Sequence, residues 1–81
     1  MRIDLVLKYL CIAKSRSFVK SMCDRGAVEM GGKAVKSSAA VREGDRITLH
    51  YPTKTVTIEI VTVPTKQLSK PKAPEYYREI G

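Results

Sequence analysis

The segment "KSRSFVKSMCDRGAVEMGGKAVK", residues 14–36, contains the signals from which the fold can be predicted. Ser15 is a candidate N-cap, because its hydroxyl can accept a hydrogen bond from a free amide of a first helical turn. Apolar residues then recur at helical spacing, and Gly26 follows where a helix often ends in a left-handed conformation. The segment therefore predicts a helix from Ser15 to about Arg25. Its predicted apolar face consists of Phe18, Val19, Met22 and Cys23.

Strands are predicted after this helix. The runs "AVEM" and "KAV" flank Gly31 and Gly32, a pair that suits a two-residue hairpin turn because glycine tolerates positive φ. Further along, "RITLHY" and "TVTIEIVTV" alternate apolar and polar residues, as half-buried strands do. Turns are predicted at residues 44–45, before the first of these runs, and at residues 52–54, between the two.

An earlier helix is predicted in "RIDLVLKYL", residues 2–10, where Ile3, Val6, Leu7 and Leu10 share one helical face. We expect it at about residues 4–10, with Asp4 as its N-cap. Only a short connection separates the two helices, so they should pack as a helix-turn-helix-like pair. The predicted fold class is α+β, with two N-terminal helices packed on a small, mainly antiparallel sheet.

The composition changes at Pro64. Residues 64–81 contain three prolines, four cationic residues and little apolar content before "YYREI". Such composition is typical of flexible segments. We therefore predict a domain at residues 1–63 and a flexible, basic, proline-containing tail at residues 64–81, with one helical turn near its end.

Charge is the strongest signal in the composition. The net charge is +7, and residues 1–42 hold nine Lys and Arg against three Asp and Glu, whereas residues 43–81 hold six against five. A basic half on a small domain suggests a polyanionic partner. A merely solubilising surface is the alternative, but the asymmetry disfavours it.

The sequence also bears on the compartment. Asp4 and Lys8 interrupt the N-terminal apolar stretch, so no signal peptide is expected. No run approaches the roughly 18 apolar residues of a membrane span. Cys11 and Cys23 do not form a disulfide framework. We expect a cytoplasmic protein with reduced thiols and no membrane partner.

The pieces "RIDLVL", "KSRSFVKSMCDRGAVEM", "GGKAVK" and "VREGDRITL", taken in order, resemble the RNA-binding domain named after ribosomal small-subunit protein four, the S4 domain. The resemblance covers residues 2 to 49 and implies the fold called the alpha-L RNA-binding motif. One departure is Gly31-Gly32, where the family usually has Asn-Gly. Both pairs allow positive φ, so the turn should survive, although any contact of an Asn side chain would be lost.

As a stand-alone S4-like domain with a short basic tail, the chain resembles two groups of proteins. These are the heat shock protein fifteen family and the ribosome-associated quality control P factor. This resemblance implies ribosomal RNA, tRNA and the large ribosomal subunit carrying stalled peptidyl-tRNA as partners. A general ribosome-assembly or RNA chaperone factor is the alternative, which the sequence does not separate from a quality-control role. A carrier protein activated at a C-terminal glycine fits poorly, because the chain ends "REIG" and two helices precede its first strand.

The cationic side chains of the helix pair and the hairpin are the candidate RNA contacts. Free amides at both helix N-termini were expected to add to them. The chain lacks the aromatic platform of single-strand binders, so recognition of folded RNA by shape and phosphate position is expected. The alternative role of Lys20 is a pair with Asp24, and that of Arg25 is to serve the helix end. The predicted RNA-binding residues are Arg2, Lys14, Arg16, Lys20, Arg25, Lys33 and Lys36.

Catalysis finds little support in the sequence. His50 is the only histidine, and neither a Cys/His set with metal spacing nor a nucleophile with a partner base is recognisable. We expect a protein that is not an enzyme and that has no metal, cofactor or small-molecule substrate.

Overall fold

The computed structural model describes residues 1–80 of the chain. Its two α-helices precede all of its strands, as predicted, and a short 3-10 helix precedes the last strand. The elements are α1 (Ile3–Tyr9), α2 (Arg16–Asp24), β1 (Val28–Met30), β2 (Lys33–Ala34), β3 (Arg46–His50), β4 (Thr55–Ile60), the 3-10 helix (Ala73–Tyr76) and β5 (Tyr77–Glu79).

The strands form one sheet in the order β2-β1-β3-β4-β5, with every neighbouring pair antiparallel. Alternate residues of β3 and β4 point to the core, where Ile47 pairs with Ile58 in register. The apolar face of α1 covers this side of the sheet and is fully buried. The predicted α+β fold of two helices on an antiparallel sheet is confirmed.

The signals around α2 and the hairpin are also confirmed. Ser15 caps α2, and its side chain accepts a hydrogen bond of 3.1 Å from the Phe18 amide. Gly26 follows the helix with φ of 73°. Gly31 and Gly32 have φ of 60° and 83°, so both positions of the hairpin turn use the left-handed region that favours glycine.

The prediction that Asp4 caps α1 is wrong. Arg2 occupies the N-cap position and makes no side-chain capping bond. Asp4 lies inside the first turn, and a distant loop caps the helix instead: the amides of Ile3 and Asp4 donate to the carbonyls of Ala39 and Ser37, at 2.8 and 3.2 Å. The amides at this end are therefore occupied, and the expected free amides of α1 are not available to a phosphate.

The predicted apolar face of α2 is partly wrong. Val19 and Met22 are buried and Cys23 is partly buried, but Phe18 is 42% exposed. Phe18 lies about 100° from Val19 around the helix, so it falls at the edge of the buried face. The Phe18 side chain is therefore only partly covered, and it lies in the first turn of α2 two residues after Arg16.

The chain after residue 63 contributes to the fold. Pro64, Leu68 and Ala73 are buried, and the Leu68 amide donates to the Tyr9 carbonyl at 3.1 Å. Strand β5 pairs with β4 and extends the sheet to five strands. These contacts involve residues 64–80, which the sequence pattern assigns to the predicted tail. Motion of this segment relative to residues 1–63 stays a prediction.

Candidate nucleic-acid interface

A buried carboxylate holds two of the candidate arginines together. Arg2 donates from Nε to Oδ1 of Asp4 at 3.0 Å, and Arg16 approaches Oδ2 at 3.5 Å. The Asp4 side chain is only 5% exposed, whereas those of Arg2 and Arg16 are 46% and 47% exposed. We call these three residues the Asp4 cluster. It joins the start of α1 to the first turn of α2.

The Asp4 cluster suits phosphate binding. Each guanidinium has five N–H donors in a planar fork and uses only part of them on Asp4. The remaining donors face solvent and match the oxygens of a phosphate group. Because Asp4 fixes the two side chains before any ligand arrives, less conformational freedom is lost on binding.

The loop after the hairpin borders this cluster. Lys36 immediately precedes Ser37, whose carbonyl binds the Asp4 amide, and Arg2 forms an isolated β-bridge with Ala40. The Lys36 side chain is exposed, and so is that of Lys33 on β2 at the outer edge of the sheet. The fold therefore brings the basic end of the hairpin towards the N-terminal end of α1.

Two other candidates lie farther along α2. Lys20 pairs with Asp24 at 3.1 Å, and both side chains are about two-thirds exposed, at 65% and 64%. This pair is the alternative role that the sequence offered for Lys20, and such exposed pairs contribute little stability. Arg25 is the exposed C-cap residue, roughly two and a half turns beyond Arg16. Neither residue belongs to the Asp4 cluster.

Lys14 is not a member of the Asp4 cluster and lies in the connection between the helices, two residues before Arg16. It lines a groove together with Lys8 and Lys70, two cations that are not among the predicted RNA-binding residues. No sequence signal connects them, because 62 positions separate Lys8 from Lys70 along the chain and only folding brings them to one groove.

His50 on β3 contacts side chains on both neighbouring strands. Its Nε2 lies 3.3 Å from a Glu29 carboxylate oxygen on β1, and its Nδ1 lies 3.3 Å from the Thr55 hydroxyl on β4. Both partners are cross-strand neighbours in a continuous sheet, so the contacts are explained by strand pairing.

Cys23 is not an activated nucleophile. Burial, followed by the nearby carboxylates of Asp24 and Asp4, raises the pKa of its thiol. The thiol is therefore protonated at neutral pH, in the form that neither attacks nor binds metal well. Across residues 1–80, no three His, Cys, Asp or Glu side chains are grouped so as to hold a metal ion.

No helix in residues 1–80 has the length and apolar character to cross a membrane.

Known proteins are similar to this chain in sequence and in fold. Residues 1–47 match the family model of the S4 domain. The RQC P-site tRNA stabilizing factor of Halalkalibacterium halodurans is 35% identical over 63 residues, which cover 78% of this chain and 72% of that protein. The factor of the same name from Helicobacter pylori strain J99 is 38% identical over 65 residues, which cover 80% and 77%.

A solved structure from the heat shock protein fifteen family has a similar fold. Vibrio cholerae Heat Shock Protein 15 has a TM-score of 0.91 and 31% identity, over 99% of this chain and 81% of that one. The resemblance inferred from the motifs of residues 2–49 is thus confirmed independently by sequence and by fold. The chain belongs to the S4 family of RNA-binding domains.

Proposed function

We propose that this protein is a ribosome-associated quality control factor that holds P-site tRNA on large ribosomal subunits carrying a stalled nascent chain. The names of its relatives support this proposal, because proteins 35% and 38% identical over most of this chain are RQC P-site tRNA stabilizing factors. Its ligands are then ribosomal RNA and tRNA, and its site of action is the cytoplasm.

The Asp4 cluster is the observation that carries the proposal on physical grounds. Two guanidiniums that lie 3.0 and 3.5 Å from one buried carboxylate form a pair of neighbouring phosphate-binding groups. They read the position of phosphates and not the identity of bases. This is the kind of contact that a factor needs when it must bind folded RNA of fixed shape.

A second RNA contact comes from the hairpin. Lys33 and Lys36 are exposed beside the two-glycine turn, where the absence of side chains at Gly31 and Gly32 lets an RNA backbone approach. A compact domain that touches two RNA segments at once gains avidity, because the second contact becomes intramolecular. We infer that the helix pair contacts one RNA segment and the hairpin the other.

The mechanism is geometric and needs no chemical step. A domain wedged between ribosomal RNA and tRNA restricts the positions open to the tRNA. Holding the tRNA in one position favours the next step of chain elongation or release. The residues that do this are the basic side chains, and their contribution is binding energy and rigidity.

Sucrose-gradient sedimentation of cell lysate tests the proposal. The tagged protein should migrate with free large subunits, and its amount there should rise when translation is stalled. Replacing Lys33 and Lys36 together with Ala should release the protein from this fraction. Lys54→Ala with Lys72→Ala removes the same charge elsewhere and serves as the control, which should remain bound.

Three outcomes would contradict the proposal or a part of it. Migration only with small subunits, or only at the top of the gradient, would overturn it. Migration with immature particles and no response to stalling would favour the ribosome-assembly alternative. If the Lys33 and Lys36 variant stays bound as tightly as its control, the hairpin contact is wrong even if ribosome binding stands.

A further inference from the structure

A cationic groove lies between the α1–α2 connection and the C-terminal segment. The volume of the groove is about 280 Å³. Three ammonium groups, those of Lys8, Lys14 and Lys70, come from three different parts of the chain, and the lining contains no carboxylate. The lining residues are completed by Cys11, Ile12, Ala13 and Gln67.

Gln67, in the C-terminal segment, forms hydrogen bonds to the end of α1 on the opposite wall of the groove. Its side-chain amide donates to the carbonyls of Tyr9 and Leu68, at 3.3 and 3.0 Å, and its carbonyl accepts from Lys8 Nζ at 2.9 Å. The Cys11 thiol adds a hydrogen bond of 3.2 Å to the Leu68 carbonyl. These bonds hold the C-terminal segment against the end of α1 and so carry Lys70 to the groove.

The backbone on the other wall has an unusual conformation. Cys11 has φ of 61°, the only positive φ at a non-glycine residue among residues 1–80. A non-glycine residue keeps this strained conformation only where other contacts enforce it. The amides of Ile12 and Ala13 both donate to the Leu7 carbonyl at 3.1 Å and fix the turn. The turn directs the chain from α1 to Lys14.

We propose that this groove binds backbone phosphates of the RNA, as an extension of the helix-pair surface; the inference rests on the proposed function. Within residues 1–80, none of the three lysines of the groove forms an ion pair. By contrast, Arg2 and Arg16 both pair with Asp4, and Lys20 pairs with Asp24. Compact, freely rotating ammonium groups suit phosphate oxygens approached from several directions.

Continuity with the Asp4 cluster favours RNA as the occupant over a free anion. Lys14 lines the groove and lies two residues before Arg16, so one RNA strand can cross both sites. The groove has no aromatic lining residue and offers no stacking platform for a base. The bound part of the RNA is therefore its sugar-phosphate backbone, and the contact is independent of base sequence.

The salt dependence of binding to tRNA tests this inference with the full chain. Replacing Lys8 and Lys70 with Gln removes two cations, and Gln at position 8 keeps an N–H donor on a side chain that is one atom shorter. We expect the slope of log K against log salt to become shallower by roughly 1.5 to 2, and the affinity at 0.1 M salt to fall by roughly tenfold to a hundredfold. Thermal unfolding followed by circular dichroism checks that both variants fold.

The control variant is Lys54→Gln with Lys72→Gln, which removes equal charge outside the groove. If both double variants lose the same affinity, charge is sensed in bulk and the groove proposal is overturned. It is also overturned if the groove variant retains the slope of the unmodified protein while Arg16→Ala weakens binding, an outcome that leaves the proposed function standing. Absence of salt-dependent tRNA binding by the unmodified protein would instead count against the proposed function itself.

Inorganic phosphate and adenosine monophosphate distinguish the source of the phosphate. Amide resonances of Ile12 and Ala13 should shift on addition of tRNA and remain in place at millimolar concentrations of either small anion. Equal shifts with the small anions would contradict an RNA-backbone site and point to a free-anion pocket.

Discussion

Asp4 sets the positions of the two arginines that the proposed interface uses most. Its carboxylate is nearly inaccessible, and a lone buried charge is costly, so Arg2 and Arg16 are needed to compensate it. The dependence is mutual, since each guanidinium loses its anchor without Asp4. An acidic residue can therefore strengthen binding to a polyanion by orienting cations.

Replacing Asp4 with Asn should weaken tRNA binding although it raises the net charge by one. The expected loss is about 1 kcal/mol, or about fivefold, for each arginine that is no longer held before binding. Asn at this position can still accept the hydrogen bond of the Leu5 amide, so stability should fall by only about 1 kcal/mol. Fluorescence anisotropy with labelled tRNA measures the affinity.

Asp24→Asn is the matched control for this experiment. It makes the same change of charge and releases Lys20 from an exposed pair. We expect unchanged or slightly tighter binding. If both substitutions tighten binding equally, net charge decides affinity and the Asp4 cluster has no special role.

The sequence names Arg2 and Arg16 as candidate RNA contacts, but it does not predict that Asp4 holds them together. Arg2 and Arg16 follow from their places at the starts of two predicted helices. The role of Asp4 depends on the loop at residues 37–39, whose carbonyls accept from the amides of Ile3 and Asp4 and so place Asp4 inside the first turn of α1. More than thirty residues separate that loop from Asp4, so local pattern alone does not predict the contact.

Among the elements, those with strong local signals were predicted best. The helix α2 has a serine cap and a terminal glycine, and the hairpin has two glycines at positive φ. These signals act within a few residues and do not depend on the remainder of the chain. Strands β3 and β4 could be predicted for a similar reason. Apolar and polar residues alternate along them, which indicates that one face of each strand is buried.

Strand β5 was missed because its determinants are not local. It has only three residues, and they follow a segment rich in proline and lysine. Its pairing with β4 is supported by Glu59, which lies 2.9 Å from Arg78 on β5 and 3.8 Å from Arg46 on β3. Burial of Leu68 and Ala73 anchors the preceding segment.

Leu68→Ala tests how firmly this segment belongs to the fold. Leu68 is 7% exposed, and truncation of a buried leucine typically lowers the free energy of unfolding by about 2 to 3 kcal/mol. Urea denaturation measures the change. The exposed Lys66→Ala is the control and should alter stability by less than about 0.5 kcal/mol. A loss as small as the control's would mean that the segment is docked too weakly to stabilise the domain.

In the whole molecule, the cations of the basic first half lie in three places. These are the hairpin with Lys33 and Lys36, the Asp4 cluster, and the groove lined by Lys8 and Lys14, to which the C-terminal segment adds Lys70. The basic first half of the sequence predicts a polyanionic partner. It does not predict that a residue of the second half lines the same groove as Lys8 and Lys14.

Crosslinking the tagged protein to RNA in cells, followed by sequencing of the bound RNA, tests whether the protein binds large-subunit ribosomal RNA and tRNA. Reads should concentrate at a few positions of large-subunit ribosomal RNA and in tRNA, and Asp4→Asn should deplete both. Reads confined to small-subunit ribosomal RNA or spread over messenger RNA would contradict the proposed function.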